Sequence, residues 1–114
     1  MVKDKVEQRK YGITLSANDK LDMTFYKNKN RIVKFALNYR TFINGKWREI
    51  YRVDNYHGFL HEQKFWISPE PIPIKNKENI PLNEILTEYS IIIKEHYEKY
   101  RSYYINAKRS DKNE

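Results

Sequence analysis

The 114-residue sequence contains no cysteine. That excludes disulfide scaffolds, thiolate zinc sites and cysteine nucleophiles together. Glycine is scarce: Gly12, Gly45 and Gly58 are too few and too scattered for a glycine-rich phosphate loop. No apolar run exceeds three residues, as at Ile91-Ile92-Ile93, so no membrane-spanning segment is expected. Residues 1–10 are charged throughout and lack the apolar stretch of a signal peptide. No serine sits in a nucleophile-elbow context, and no cofactor motif is present, so no cofactor is expected. The length suits one domain with one core. The expectation is a soluble cytoplasmic protein.

What is present is charge and aromaticity. There are 22 Lys+Arg against 15 Asp+Glu, a net charge of +7, and ten tyrosines. Mean hydropathy is −0.93, yet an aromatic content of 15% is too high for a disordered chain. The positive charge is unevenly placed. Residues 1–29 carry seven basic and four acidic side chains, residues 30–67 seven and three, and residues 68–114 eight and eight. A basic surface on the first 67 residues favours phosphate-bearing partners such as RNA or another nucleic acid. The same excess also follows from a compositional bias, since Lys, Ile, Asn and Tyr make up 49 residues.

Periodicity predicts an α+β domain: an antiparallel β-meander of three to five strands packed against one long C-terminal helix. Residues 1–10 read as a flexible arm, 11–67 as the meander, 68–80 as a Pro-rich connector, 81–105 as the helix and 106–114 as a polar tail. Lys27-Asn28-Lys29-Asn30 reads as a hairpin loop. Val33, Phe35, Leu37, Tyr39 and Thr41 alternate onto one face, and Asn44-Gly45 is the strongest hairpin signal. Simple alternation then puts Trp47, Glu49, Tyr51 and Val53 on one face of the return strand, and Arg48, Ile50, Arg52 and Asp54 on the other. His57-Gly58 marks a second turn, and residues 59–67 read as a further strand. Pro69, Pro71 and Pro73 exclude a central strand beyond it. Pro81 opens a helix with Leu82, Ile85, Leu86, Tyr89, Ile92, Ile93, His96, Tyr97 and Tyr100 at helical spacing.

The chemistry-bearing cluster is Arg52-x-Asp54-x-x-His57-Gly58-x-x-His61. Arg52 and Asp54 project from one strand face, and His61 returns beside them across the turn. Two imidazoles suit proton transfer in RNA cleavage through the 2′-hydroxyl, with Arg52 stabilising phosphoryl charge and Asp54 orienting a histidine. Two other readings stay open. Asp54, His57 and His61 could form a two-histidine, one-carboxylate metal set, although their spacing matches no standard register. Alternatively, Arg52–Asp54 is an ion pair and the histidines are polar turn residues. Arg40, Lys46 and Arg48 around Trp47 could hold a strand of RNA by phosphate contact and stacking, while Trp47 also fits a core position.

Asn44-Gly45-Lys46-Trp47, Arg52-Val53-Asp54, His57-Gly58 and His61 together resemble a family of small prokaryotic proteins with an R-Y-D-x-x-H-G-x-x-H centre. That family is distantly similar to TumE-type toxins of toxin–antitoxin pairs. Position 53 is valine where the family has tyrosine, and the denser histidine run of the toxins is missing. The resemblance implies a toxin-like, RNA-acting protein, a metal-independent endoribonuclease among the options, with an antitoxin protein as partner. A second copy of the chain is another candidate partner. The alternative function is a non-catalytic module that binds nucleic acid or protein.

Overall fold

A computed structural model describes residues 5–112, with side chains defined as far as Arg109. The element order is β1 (Val6–Ser16), β2 (Asp19–Asn28), β3 (Arg31–Ile43), β4 (Lys46–Asp54), β5 (His61–Lys64), β6 (Ile72–Pro73) and α1 (Leu82–Lys112). The strands form one antiparallel meander in sequence order, and α1 crosses one face of it, mainly over β3. The fold class is the expected α+β one. The sheet has six strands, one more than expected, because β6 forms in the connector at its edge.

The first strand starts at Val6, so residues 6–10 are part of the sheet and only residues 1–4 of the expected arm lie outside the described residues. Every residue from Val6 to Thr14 has a β2 partner, and this pairing holds the segment despite its charge. In the connector, Ile72 and Pro73 pair with Glu62 and His61. A proline is tolerated there because it lies on the sheet's rim, where no ladder donor is needed. β5 is shorter than expected and gives way to a turn at residues 65–67. The helix runs on to Lys112, so most of the expected polar tail is helical, and residues 113–114 lie outside the described residues. At about 1.5 Å per residue its 31 residues span roughly 46 Å.

The hairpin turns follow from local chemistry. Lys29 (φ 58°) lies in the β2–β3 turn, while Asn44 (φ 51°) and Gly45 (φ 78°) make the β3–β4 turn in the left-handed region it requires. Pro81 precedes α1 and its carbonyl accepts from the Glu84 and Ile85 amides. Glu84 lies in the first turn, where the helix dipole favours an acid.

Two bulges decide which side chains face the helix. Tyr26 pairs with Lys34 and Lys27 with Ile32, which leaves Val33 as an extra residue in β3. Ile32 therefore turns into the core, and Val33 is 43% exposed rather than part of the expected core stripe. Likewise Tyr39 pairs with Tyr51 and Arg40 with Glu49, so Ile50 is extra in β4. Ile50 and Tyr51 are both buried, and every residue on the tip side of the bulge changes face. Trp47 and Glu49 thus share the side of Arg52, and Arg48 shares that of Tyr51 and Val53. Simple alternation gives the opposite assignment for Trp47, Arg48 and Glu49.

The core lies between the sheet and α1. Leu21, Phe35, Leu37, Tyr39, Ile50 and Val53 from the strands meet Ile85, Leu86 and Ile93 from the helix. Tyr89, Tyr97, Tyr100 and Tyr104 extend this contact along the helix. His96 is half-buried at its boundary, 6.4 Å from the Tyr100 ring centroid. Asp19 is the buried acid of this layer. Its carboxylate accepts from Ser16 Oγ (2.5 Å) and Tyr39 OH (2.6 Å). Burial pushes the Asp19 carboxyl up, but these bonds and the Arg101 charge outweigh burial and hold it below its ordinary value. Burial, reinforced by Asp19, pushes the Tyr39 hydroxyl well above its usual range, so it stays a donor.

Candidate functional site

Among the described residues no helix covers the sheet's second face. By register it displays Lys20, Asp22, Thr24 and Tyr26 from β2, Lys34, Ala36, Asn38, Arg40 and Phe42 from β3, and Trp47, Glu49, Arg52 and Asp54 from β4. All four members of the sequence cluster lie at one end of this face or in the loop beside it. Asp54 is the hub. Its Oδ2 accepts from Arg52 Nε (2.5 Å), and its Oδ1 accepts from the Tyr56 amide (2.9 Å) and faces His61 Nε2 at 3.0 Å. His61 Nδ1 lies 3.1 Å from the Phe59 carbonyl. Both ring nitrogens therefore face oxygen acceptors, and only a ring carrying both protons donates to the two at once.

Loop residues 55–60 close over this pair. The His57 ring stacks on His61 at 5.6 Å between centroids with a 25° interplanar angle, and Phe59 approaches His61 at 5.0 Å. The His61 and Asp54 side chains are each 2% exposed, whereas His57 is exposed. Gly58 (φ 84°) supplies the turn that folds the loop back. Asn55 anchors its start, accepting from the Phe35 amide (2.9 Å) on the part of β3 beyond the end of β4. The expected four-residue constellation is thus assembled, but with unequal parts: His61 is enclosed and committed, and His57 is the accessible imidazole. Among the described residues no three His, Asp or Glu side chains converge as a metal-holding group.

The four nucleic-acid candidates separate. Arg40 lies on the open face, paired with Asp22. Trp47 lies there too, 39% exposed, against Phe42 at 5.5 Å and under the Lys20 ammonium at 4.1 Å. Lys46 and Arg48 are exposed near the hairpin tip, on the helix side by register, because they alternate with Trp47 and the Ile50 bulge places Trp47 on the open face.

A second aromatic–cation group at the other end of the face is absent from the sequence-level candidates. Lys34 Nζ sits 4.4 Å from the Tyr56 ring centroid and 5.6 Å from that of Tyr26, and the two rings meet edge-on at 6.3 Å. Gln8 donates to the Tyr26 hydroxyl at 2.7 Å. Arg52 touches Asp54 through Nε and lies 5.6 Å from the Tyr56 ring, which leaves its terminal nitrogens for other partners. Gln8, Tyr26, Arg52 and Tyr56 border a shallow recess of about 320 Å³ with Lys10, Thr24 and Asn38. Two enclosed polar atoms without a hydrogen-bond partner, Asn38 Oδ1 and Arg40 Nε, also belong to this face. The available sequence signal was the polar half of the β3 alternation, Lys34, Ala36, Asn38 and Arg40. Tyr56 could not be placed, because its loop's fold-back depends on Asn55 and Gly58.

Chemically, the open face combines ammonium and guanidinium groups with ring surfaces. An α+β domain with a six-stranded meander, one helix and one uncovered polar face is the class these features define. Residues 3–110 match the family described as Domain of unknown function (DUF7718), and the chain belongs to that family. No curated protein and no solved structure matches it. Among the described residues no helix is long and apolar enough to cross a membrane.

Proposed function

We propose that the protein binds single-stranded RNA on the open face of its sheet and acts as the RNA-directed partner of a toxin–antitoxin pair in the cytoplasm. The observation that carries this reading is the placement of aromatic–cation groups at both ends of one uncovered face: Lys34 with Tyr26 and Tyr56, and Lys20 with Trp47 and Phe42. Rings offer bases a stacking surface, and the cations beside them meet the phosphates. A labelled single-stranded RNA, followed by fluorescence anisotropy over a salt series, tests it. Binding should weaken steeply with salt, and Tyr56→Ala and Trp47→Ala should each weaken it by about 1–3 kcal/mol, the usual worth of a stacked base. Salt-independent binding, or none at low ionic strength, overturns the reading.

RNA cleavage is the second reading, favoured by the exposed His57 ring stacked on a hydrogen-bonded His61–Asp54–Arg52 chain. In it His57 exchanges protons with the RNA, and His61, Asp54 and Arg52 position it. Induced expression should slow growth, and His57→Ala should relieve that effect while leaving RNA affinity unchanged. Equal growth inhibition by both proteins would leave binding as the whole function.

A further inference from the structure

A second concavity lies away from the open face. It is a trough of about 1350 Å³ between the β2–β3 turn, the 55–60 loop and the segment from Pro73 into the start of α1. Six aliphatic side chains, Ile32, Leu60, Ile74, Ile80, Leu82 and Ile85, line it together with asparagines of the surrounding turns. On its lips Val33 and Phe59 are 43% and 45% exposed. Around them stand Lys29, Arg31 and Lys75, all exposed, and Glu78 is the one acidic lining residue. A fourth cation, Lys77, is already engaged by Glu88 at 3.3 Å.

The trough is held open by specific contacts. The Asn83 side chain accepts from the Ile32 amide (3.0 Å) and donates to the Asn30 carbonyl (3.1 Å), tying the first turn of α1 to the β2–β3 hairpin. Asn55 ties the opposite wall to Phe35. Both asparagines satisfy the main chain of β3 where β4 no longer pairs with it, since the β4 ladder ends at Ala36. Side-chain amides thus add to the main-chain bonds that fix the walls.

We infer that this trough docks an acidic, extended peptide segment of a partner protein whose apolar side chains enter between Val33 and Phe59. Three features select that occupant. The volume of about 1350 Å³ exceeds the 300–1,000 Å³ usual for small-molecule sites and has room for a peptide segment. The aliphatic walls suit apolar side chains, whereas a nucleic-acid strand needs the ring surfaces found on the open face. The surplus of Lys29, Arg31 and Lys75 over Glu78 is complementary to carboxylates, which favours and orients an acidic segment.

The probe is a labelled synthetic decapeptide alternating Glu with Leu and Phe. Two controls accompany it, one with Lys replacing Glu and one with Ser replacing the apolar residues. Anisotropy should show saturable binding of the first peptide and at least tenfold weaker binding of both controls. Arg31→Glu with Lys75→Glu should cost tenfold or more, and Phe59→Ala several-fold. Lys10→Glu with Lys20→Glu, on the open face, should leave binding unchanged. Phe59, Arg31 and Lys75 are exposed, so circular dichroism should report an intact fold in every variant. Failure of the acidic–apolar peptide to bind overturns the inference. So does equal binding of the Ser control, equal loss in the Lys10/Lys20 variant, or loss of single-stranded RNA binding in the trough variants alone.

Discussion

The two faces of the sheet use the same strands for opposite ends. Towards α1, Phe35, Leu37, Tyr39 and Val53 are buried beneath Ile85, Leu86 and Ile93, and the charged group enclosed there, Asp19, has its acceptors filled by hydroxyls. Away from α1, charges are paired laterally, Arg40 with Asp22 and Arg52 with Asp54, while Lys20 and Lys34 rest over rings that water still reaches. The covered face derives its stability from area removed from water. The open face keeps polar groups in mutual contact that a ligand can exchange for its own. Stability is therefore concentrated on one side and binding capacity on the other, and substitutions should separate the two.

The largest effect should come from opening the covered face. Phe35→Ala or Ile93→Ala removes a fully buried side chain and should cost about 2–5 kcal/mol in chemical denaturation. Next comes Asp54→Ala, which is sharper because Asp54 lies on the open side yet is 2% exposed. Losing it strands His61 and Arg52, and the cost should be about 3 kcal/mol, typical of breaking an enclosed charged contact. A near-zero cost would mean that the cluster is not held as described. A smaller effect concerns acid. The folded Asp19 carboxyl titrates below its ordinary value of 3.8, so its contribution is fully present above that pH and disappears as pH falls through the lowered folded value. Asp19→Asn should therefore flatten the loss of stability below about pH 4 and lower stability at neutral pH. The smallest stability change belongs to Trp47→Ala, within roughly 0.5 kcal/mol, because the ring lies on the uncovered face. A cost of 2 kcal/mol or more there would break the division of labour between the faces.

Much of this arrangement was legible in the sequence, and the rest was hidden for physical reasons. Pro81 and the 3.6-residue spacing from Leu82 to Tyr100 specify the helix, and Asn44-Gly45 specifies its turn through left-handed φ. The bulges at Val33 and Ile50 were not read, because one inserted residue leaves the alternation on either side intact. Their trace was adjacent apolar pairs, Ile32-Val33 and Ile50-Tyr51, where strict alternation allows one. The meeting of Arg52, Asp54 and His61 followed from spacing alone. That both His61 nitrogens would be engaged did not, since one acceptor is a main-chain carbonyl in a loop. The charged residues Glu7, Arg9 and Lys10 suggested a loose arm, yet backbone pairing with β2 holds them in a strand whatever their side chains.

The bulge at Ile50 also bears on how such a domain can change over generations. Because one surplus residue inverts the sidedness of everything between it and the Asn44-Gly45 turn, deleting that codon would exchange the outward positions of Trp47 and Arg48 in a single step. Residues on the other side of it, from Tyr51 to Asp54, would keep their register. A reading-frame-preserving indel here acts as a switch on the displayed surface, giving the hairpin tip access to new ligands by a route that no single substitution offers.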